Sequence, residues 1–98
     1  MENQSKYLHI TRAHVFITGK VQGVGYRFST LQTAVSLGIN GWVKNLPDGR
    51  VEAVFEASDE LVKKMINWCY QGPKSAVVKD VVVKYEQAES IEGFEIQR

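Results

Sequence analysis

The sequence has few of the features that mark disulfide-bonded, membrane-spanning or repetitive proteins. Only one cysteine, Cys69, occurs among the 98 residues, which excludes an intrachain disulfide and any site built from several thiolates. The polar start MENQSKYLHITR lacks the apolar centre of a signal peptide or membrane span. No internal repeat or low-complexity tract divides the chain. We therefore expect one globular domain in a reduced, cytoplasmic setting.

A strong net charge is also missing from this chain. Lysine and arginine total 12, aspartate and glutamate total 11, and the formal net charge is +1. Proteins that coat nucleic acid or anionic lipid carry a clear excess of positive charge. We expect no nucleic-acid or membrane partner, so any cationic function must be confined to one place on the molecule.

The periodicity of apolar residues predicts seven secondary-structure elements. Strands are predicted at 13–19, 41–46, 50–57, 77–86 and 93–98, with helices at 26–37 and from 58–60 to the QGP of residues 71–73. Residues 1–12 are predicted to be a polar lead-in and residues 13–98 the folded domain. This order favours an α+β fold in which a largely antiparallel sheet carries both helices on one face.

Apolar spacing also predicts which side of each element is buried. In the first helix the apolar positions are Phe28, Leu31, Ala34 and Val35. The strand RVEAVFEA alternates, with Val51, Ala53 and Phe55 on one face and both glutamates on the other. We expect the glutamates, Glu52 and Glu56, to face solvent.

Glycines and one arginine lie together at the junction of the first strand and the first helix. The stretch TGKVQGVGYRF places Gly23 and Gly25 directly before Arg27. The start of a helix carries unpaired amide N–H groups and partial positive charge, and a glycine loop allows such groups to surround an anion. An arginine in the first turn can reach back and bind an oxyanion through two hydrogen bonds. These residues alone leave open whether the stretch is an anion site or only a tight turn.

Two motifs resemble the signatures of the acylphosphatase family, and the second follows the first at the distance that is usual in that family. GKVQGVGYR followed by FST is similar to the first signature, and GINGWVKNLPDGRVEAVFEA is similar to the second. The resemblance extends from about Ala13 to Arg98. It implies a ferredoxin-like open-faced sandwich, βαββαβ plus a short C-terminal strand, that hydrolyses acyl phosphates to a carboxylate and inorganic phosphate.

The same resemblance implies a set of site residues. Arg27 would bind the phosphate, and Asn45 would orient the attacking water. The phosphate cradle would be the backbone of five consecutive residues, namely Gln22, Gly23, Val24, Gly25 and Tyr26. Tyr26 replaces a phenylalanine that is commoner in the family, and Ala57 replaces a commoner glycine.

The chemistry of an acyl phosphate is compatible with so small a set. The leaving group is a carboxylate with a pKa of about 4–5, so it departs without a proton. A loose transition state needs little help from a general base. No carboxylate pair or histidine cluster accompanies the motifs, so we expect no metal and no cofactor, and a small acyl phosphate as the partner of a monomer.

Two other functions remain open at this point. The first is a module that binds phosphate or carbamoyl phosphate without turnover. The second is an RNA-binding domain of the same topology, which would expose aromatic side chains on central strands. Phe16 and Phe55 are the candidates for such a surface, and Phe55 is predicted to face inward.

Overall fold

The computed structural model describes residues 9–98 and confirms the predicted order of elements. The elements are β1 (Thr11–Lys20), α1 (Tyr26–Leu37), β2 (Asn40–Asn45), β3 (Val51–Ala57), α2 (Asp59–Gln71), β4 (Val77–Glu86) and β5 (Phe94–Ile96). The first strand begins two residues before the predicted start. Residues 1–8 of the predicted lead-in lie outside the described residues.

The five strands form one sheet in the order β4-β1-β3-β2-β5. The pairs β1–β3, β1–β4 and β2–β3 are antiparallel, whereas β2 and β5 are parallel. The sheet is therefore mixed, and because three of its four strand pairs are antiparallel, the prediction of a largely antiparallel sheet is confirmed. β4 and β5 are on opposite edges, so the chain crosses one end of the sheet between them and returns in the direction of β2.

Both helices pack on one face of this sheet and enclose the core. On β1 the core residues alternate strictly, and Ala13, Val15 and Ile17 are all fully buried. Helical spacing of apolar residues predicts a buried stripe on α2 at Leu61, Val62, Met65, Ile66 and Cys69. This stripe is confirmed, because Val62, Met65 and Cys69 are fully buried. Within residues 9–98, neither helix combines the length and the apolar character needed to cross a bilayer.

The buried face of α1 differs from the predicted one. Its buried residues are Tyr26, Thr30 and Ala34, whereas Phe28 is 58% exposed and Val35 is 61% exposed. The Tyr26 hydroxyl donates a 2.7 Å hydrogen bond to the carbonyl of Cys69 in α2. This contact fixes the rotation of α1, so the buried residues follow Tyr26 at intervals of four and Phe28 turns outward.

A buried ion pair lies at the start of β1. Glu56 is 1% exposed and accepts hydrogen bonds from Arg12 Nη1 at 2.9 Å, from the Glu89 amide at 2.7 Å and from the Ile91 amide at 3.1 Å. Burial alone would raise the pKa of Glu56, but these hydrogen bonds hold it below its usual value. The prediction that Glu56 faces solvent is wrong, because this carboxylate anchors the chain that crosses from β4 to β5.

Candidate active site

The loop between β1 and α1 bends through two glycines in left-handed backbone conformations. Gly23 has φ of 73° and Gly25, the N-cap of α1, has φ of 80°. A Cβ atom at either position would meet no atom within 4 Å. The backbone dihedral, and not lack of space, is therefore what favours glycine here, because other L-residues are strained at positive φ.

The N-termini of the two helices are built differently. At α2, Ser58 accepts a 3.3 Å hydrogen bond from the Leu61 amide, and Asp59 and Glu60 add negative charge to the first turn. α1 has neither a side-chain cap nor an acidic residue in its first turn. Within the described chain, no group accepts a hydrogen bond from the amides of residues 22–28. The start of α1 therefore keeps its hydrogen-bond donors and its partial positive charge available.

Arg27 adds a full positive charge at this helix start. It is the second residue of α1 and is half-buried. Among residues 9–98, arginine ion pairs are made by Arg12 and Arg50, and Arg27 makes none. Its guanidinium also makes no hydrogen bond to another residue of this range. The charge is left for a ligand to neutralise.

Asn45 reaches the same cavity from the end of β2. Its Oδ1 is buried and has no hydrogen-bond partner within residues 9–98. Its Nδ2 makes no hydrogen bond in this range either, and it is not among the buried polar atoms without a partner, so at least part of its surface is accessible. A buried polar atom without a partner costs roughly 1–3 kcal/mol, and such atoms in native proteins usually have a functional explanation.

A cavity of about 240 Å³ brings these groups together. Its lining residues are Val21, Gly23, Gly25, Tyr26, Arg27, Phe28, Asn45, Ile96 and Arg98. Among residues 9–98, the wall therefore contains two arginines and no aspartate or glutamate. The arginines and the apolar side chains of this lining favour a small anion that carries an apolar group. The cavity is far too small for a macromolecule.

Five of the seven residues implied by the family resemblance line this cavity, and two do not. Val24 is half-buried and packs against the core. Gln22 directs its side chain away, toward the loop between β2 and β3, where Nε2 donates to the Leu46 carbonyl at 2.8 Å and the Arg50 carbonyl at 2.9 Å.

Sequence reasoning missed four lining residues: Val21, Phe28, Ile96 and Arg98. Phe28 had been placed on the buried face of α1. Ile96 and Arg98 come from the far end of the chain, and only the parallel pairing of β5 with β2, which sets Ile96 opposite Val43, brings them beside Asn45. No local sequence signal indicates that pairing.

The side chain of Tyr26 contributes to the site through its packing in the core. It is 1% exposed, and burial raises the pKa of its phenol far above the usual value. Burial likewise raises the pKa of the Cys69 thiol to about 12. Neither group can exchange a proton near neutral pH, so Tyr26 contributes its backbone and a packed ring, and Cys69 is not a nucleophile.

The uncovered face of the sheet carries aromatic residues that bear on the RNA-binding alternative. Phe55 is fully buried, as expected, but Phe16 and Trp42 both lie on this face, and Trp42 was not foreseen. The Arg50 guanidinium lies 5.1 Å from the Phe16 ring and Lys44 Nζ lies 5.7 Å from the Trp42 ring. These rings are therefore already covered by side chains of the same molecule, which disfavours base stacking.

In the part of the chain that the structure describes, no group of three or more histidine, cysteine, aspartate or glutamate side chains could hold an ion.

The sheet order, the two helices on one face and the βαββαβ succession define a ferredoxin-like α/β protein. The computed structure superimposes on an acylphosphatase from Coxiella burnetii with a TM-score of 0.89, at 34% identity over 99% of this chain and 100% of that one. A sequence model of the acylphosphatase family matches residues 13–96. The chain belongs to the acylphosphatase family.

Curated relatives support this assignment along the whole chain. An acylphosphatase from Nostoc sp. is 56% identical over 98 residues, which span all of this chain and 97% of that protein. An acylphosphatase from Trichormus variabilis is 55% identical with the same coverage. The chain is therefore a hydrolase of this family, and family and fold together support acyl phosphate hydrolysis.

Proposed function

We propose that the protein hydrolyses the carboxyl-phosphate anhydride of small acyl phosphates by direct attack of water on a phosphate held at the start of α1. The observation that carries this proposal is one cavity lined by Arg27, which makes no ion pair among the described residues, by the start of α1 with its unpaired amides, and by Asn45. The described lining residues include no aspartate or glutamate, whose side chains would repel a phosphate.

Arg27 and the amides of residues 23–27 bind the phosphate oxygens. A guanidinium presents parallel donors that match two oxygens of a tetrahedral anion, and the amides add hydrogen bonds and the positive end of the helix dipole. In the loose transition state, negative charge spreads over the equatorial oxygens. Donors that are already in place stabilise that charge without reorganising.

Asn45 positions the water. Its accessible Nδ2 can donate a hydrogen bond to the water oxygen, which leaves a lone pair of that oxygen free to attack phosphorus. A nonbridging phosphate oxygen takes the proton that water loses, since the described residues that line the cavity include no aspartate or glutamate to act as a base. The P–O bond to the acyl group breaks, and the carboxylate leaves without a proton because the pKa of its conjugate acid is only about 4–5.

We also propose that a single chain acts alone, since Arg27, the start of α1 and Asn45 already meet in one cavity without a contribution from a second copy. The small cavity fits a small acyl phosphate. A reduced, cytoplasmic setting suits a protein whose single cysteine is buried.

A hydrolysis assay with benzoyl phosphate in the presence of EDTA tests the proposal, with phenyl phosphate as the comparison substrate. We expect rapid hydrolysis of the acyl phosphate, no loss with EDTA, and a far slower reaction with phenyl phosphate, whose leaving group is much more basic. Binding of inorganic phosphate without turnover would instead identify a phosphate-binding module. Similar rates on both substrates would contradict the proposed mechanism.

The variant Asn45→Ala separates binding from turnover. We expect kcat to fall by at least about 100-fold, because the water loses its orientation, while the inhibition constant of inorganic phosphate changes less than about threefold. Equal losses in both quantities would show that Asn45 binds phosphate and does not position water.

A further inference from the structure

The two halves of the site come from distant parts of the sequence, and one side chain joins them. Gln22 lies in the loop that leads to α1, and its Nε2 donates to the carbonyls of Leu46 and Arg50 at 2.8 and 2.9 Å. Leu46 directly follows Asn45. Within residues 9–98 these are the hydrogen bonds that connect residues 21–25 with residues 45–50.

Both carbonyls belong to the base of the loop between β2 and β3. The Arg50 carbonyl also accepts from the Leu46 amide at 2.8 Å, and the Leu46 carbonyl also accepts from the Gly49 amide at 3.1 Å. The carboxamide of Gln22 therefore bridges the two chain ends where this loop closes. It uses both of its N–H donors to do so, and a carboxamide has no others.

The bridge bears on catalysis because it holds the peptide groups next to Asn45. Leu46 directly follows Asn45, which lines the cavity, so a shift of the Leu46 carbonyl would displace the neighbouring Asn45 carboxamide. Displacement of a positioning group by about 1 Å can lower a rate roughly 100-fold. Arg27 and the helix amides, by contrast, belong to α1 and the loop that precedes it, whereas Asn45 belongs to the segment at the other end of the Gln22 hydrogen bonds.

We propose that Gln22 is a positioning residue whose side chain sets the distance between the phosphate-binding loop and Asn45. This inference rests on the proposed function and adds a role that the backbone cradle does not include. The side chain of Gln22 is directed to the loop between β2 and β3, and Gln22 is not among the described residues that line the cavity. It acts through Asn45, and its loss must therefore affect turnover more than phosphate binding.

The variant Gln22→Met isolates the hydrogen bonds, because methionine keeps the length of the side chain and removes both donors. The matched control is Gln32→Met, the same substitution at an exposed position of α1. We expect Gln22→Met to lower kcat for benzoyl phosphate by about 30- to 100-fold and to change the inhibition constant of inorganic phosphate by less than about threefold. Gln32→Met should match the wild-type chain in both.

A double-mutant cycle with Asn45→Ala tests whether Gln22 acts through Asn45. In the Asn45→Ala background, Gln22→Met should change the remaining kcat by less than about threefold, because there is no carboxamide left to position. An equal fall in both backgrounds would overturn the inference. The ¹⁵N-labelled side-chain amide of Asn45 provides a second measurement: its resonances should move in Gln22→Met and stay in place in Gln32→Met.

The outcomes separate this inference from the proposed function. If neither the wild-type chain nor Gln32→Met hydrolyses benzoyl phosphate, the proposed function fails. If both hydrolyse it and Gln22→Met does so at the same rate with unmoved Asn45 resonances, only the role of Gln22 fails.

Discussion

Two arginines, one near the start of β1 and one in the first turn of α1, have opposite electrostatic environments. Arg12 is buried and lies within reach of three carboxylates, Glu56 at 2.9 Å, Glu86 at 3.0 Å and Glu89 at 3.6 Å. Arg27 lines a cavity whose described residues include no aspartate or glutamate, and it makes no ion pair in the described part of the chain. The protein neutralises the first charge itself, which stabilises the fold. It leaves the second charge free, and a free charge in a cavity attracts an anion.

The largest expected effect follows from removal of the free charge. Arg27→Ala should lower kcat/KM for benzoyl phosphate by about 1000-fold or more, because it removes several charge-assisted hydrogen bonds made in both the ground and the transition state. The free energy of unfolding should change by less than about 1 kcal/mol, because no intramolecular ion pair is broken. Steady-state kinetics and urea unfolding measure the two quantities.

Arg50→Ala is the matched control for that variant. Arg50 pairs with Asp48 at 2.9 Å on the surface and does not line the cavity. Its kcat/KM should stay within about threefold of wild type. A loss as large as that of Arg27→Ala would show that general positive charge binds the substrate, and not the site formed by Arg27 and the unpaired amides at the start of α1.

Removal of a partner of Arg12 should have the opposite effect: it should lower stability and leave activity nearly unchanged. Glu56→Gln leaves Arg12 buried without its closest partner and weakens the anchor of the crossing chain. We expect a loss of about 3 kcal/mol in the free energy of unfolding, the typical effect of breaking a buried pair, with kcat of the folded protein changed less than threefold. Urea unfolding measures the first quantity. Exposed Glu60→Gln is the control, and equal stability of the two variants would contradict the structural role of Glu56.

A carboxylate placed at the start of α1 should make this helix N-terminus resemble that of α2, which already has acidic residues in its first turn. Gly25→Asp introduces a carboxylate near the bound phosphate, and two unit charges about 5 Å apart repel by about 3 kcal/mol at an effective dielectric constant near 20. Gly25→Asn has the same shape without the charge and tolerates left-handed backbone. We expect inorganic phosphate to inhibit the Asp variant roughly 100-fold more weakly than the Asn variant. Equal inhibition constants would show that phosphate does not approach this turn.

The smallest effect is a dependence of stability on pH. Hydrogen bonds from His14 and Arg12 lower the pKa of Glu86, and amide and Arg12 contacts lower the pKa of Glu56 despite its burial. A carboxylate with a lowered pKa stabilises the fold above its unfolded pKa, and this contribution is lost as pH falls through the folded value. The free energy of unfolding should therefore decrease below about pH 4.5, the ordinary value for glutamate. Glu56→Gln should show a shallower decrease, and identical slopes would exclude Glu56 as a source.

Sequence reasoning succeeded where local pattern decides structure. The order of elements, the stripe of α2 and the convergence of Arg27 and Asn45 on one cavity all follow from periodicity or from the two signatures. It failed where a distant contact decides. The hydrogen bond from Tyr26 to Cys69 rotates α1, and the partners of Glu56 lie more than 30 residues away along the chain. The bridge from Gln22 depends on a carbonyl position that no side-chain pattern encodes.

A titration of the ¹⁵N-labelled chain with inorganic phosphate tests the central claim most directly. If the unpaired amides and Arg27 form the phosphate-binding site, the largest saturable chemical shift changes will be those of the amides of residues 23–27. Arg27→Ala will abolish these changes. Shifts concentrated instead on the uncovered sheet face around Phe16 and Trp42, or an unchanged titration in Arg27→Ala, would contradict the account.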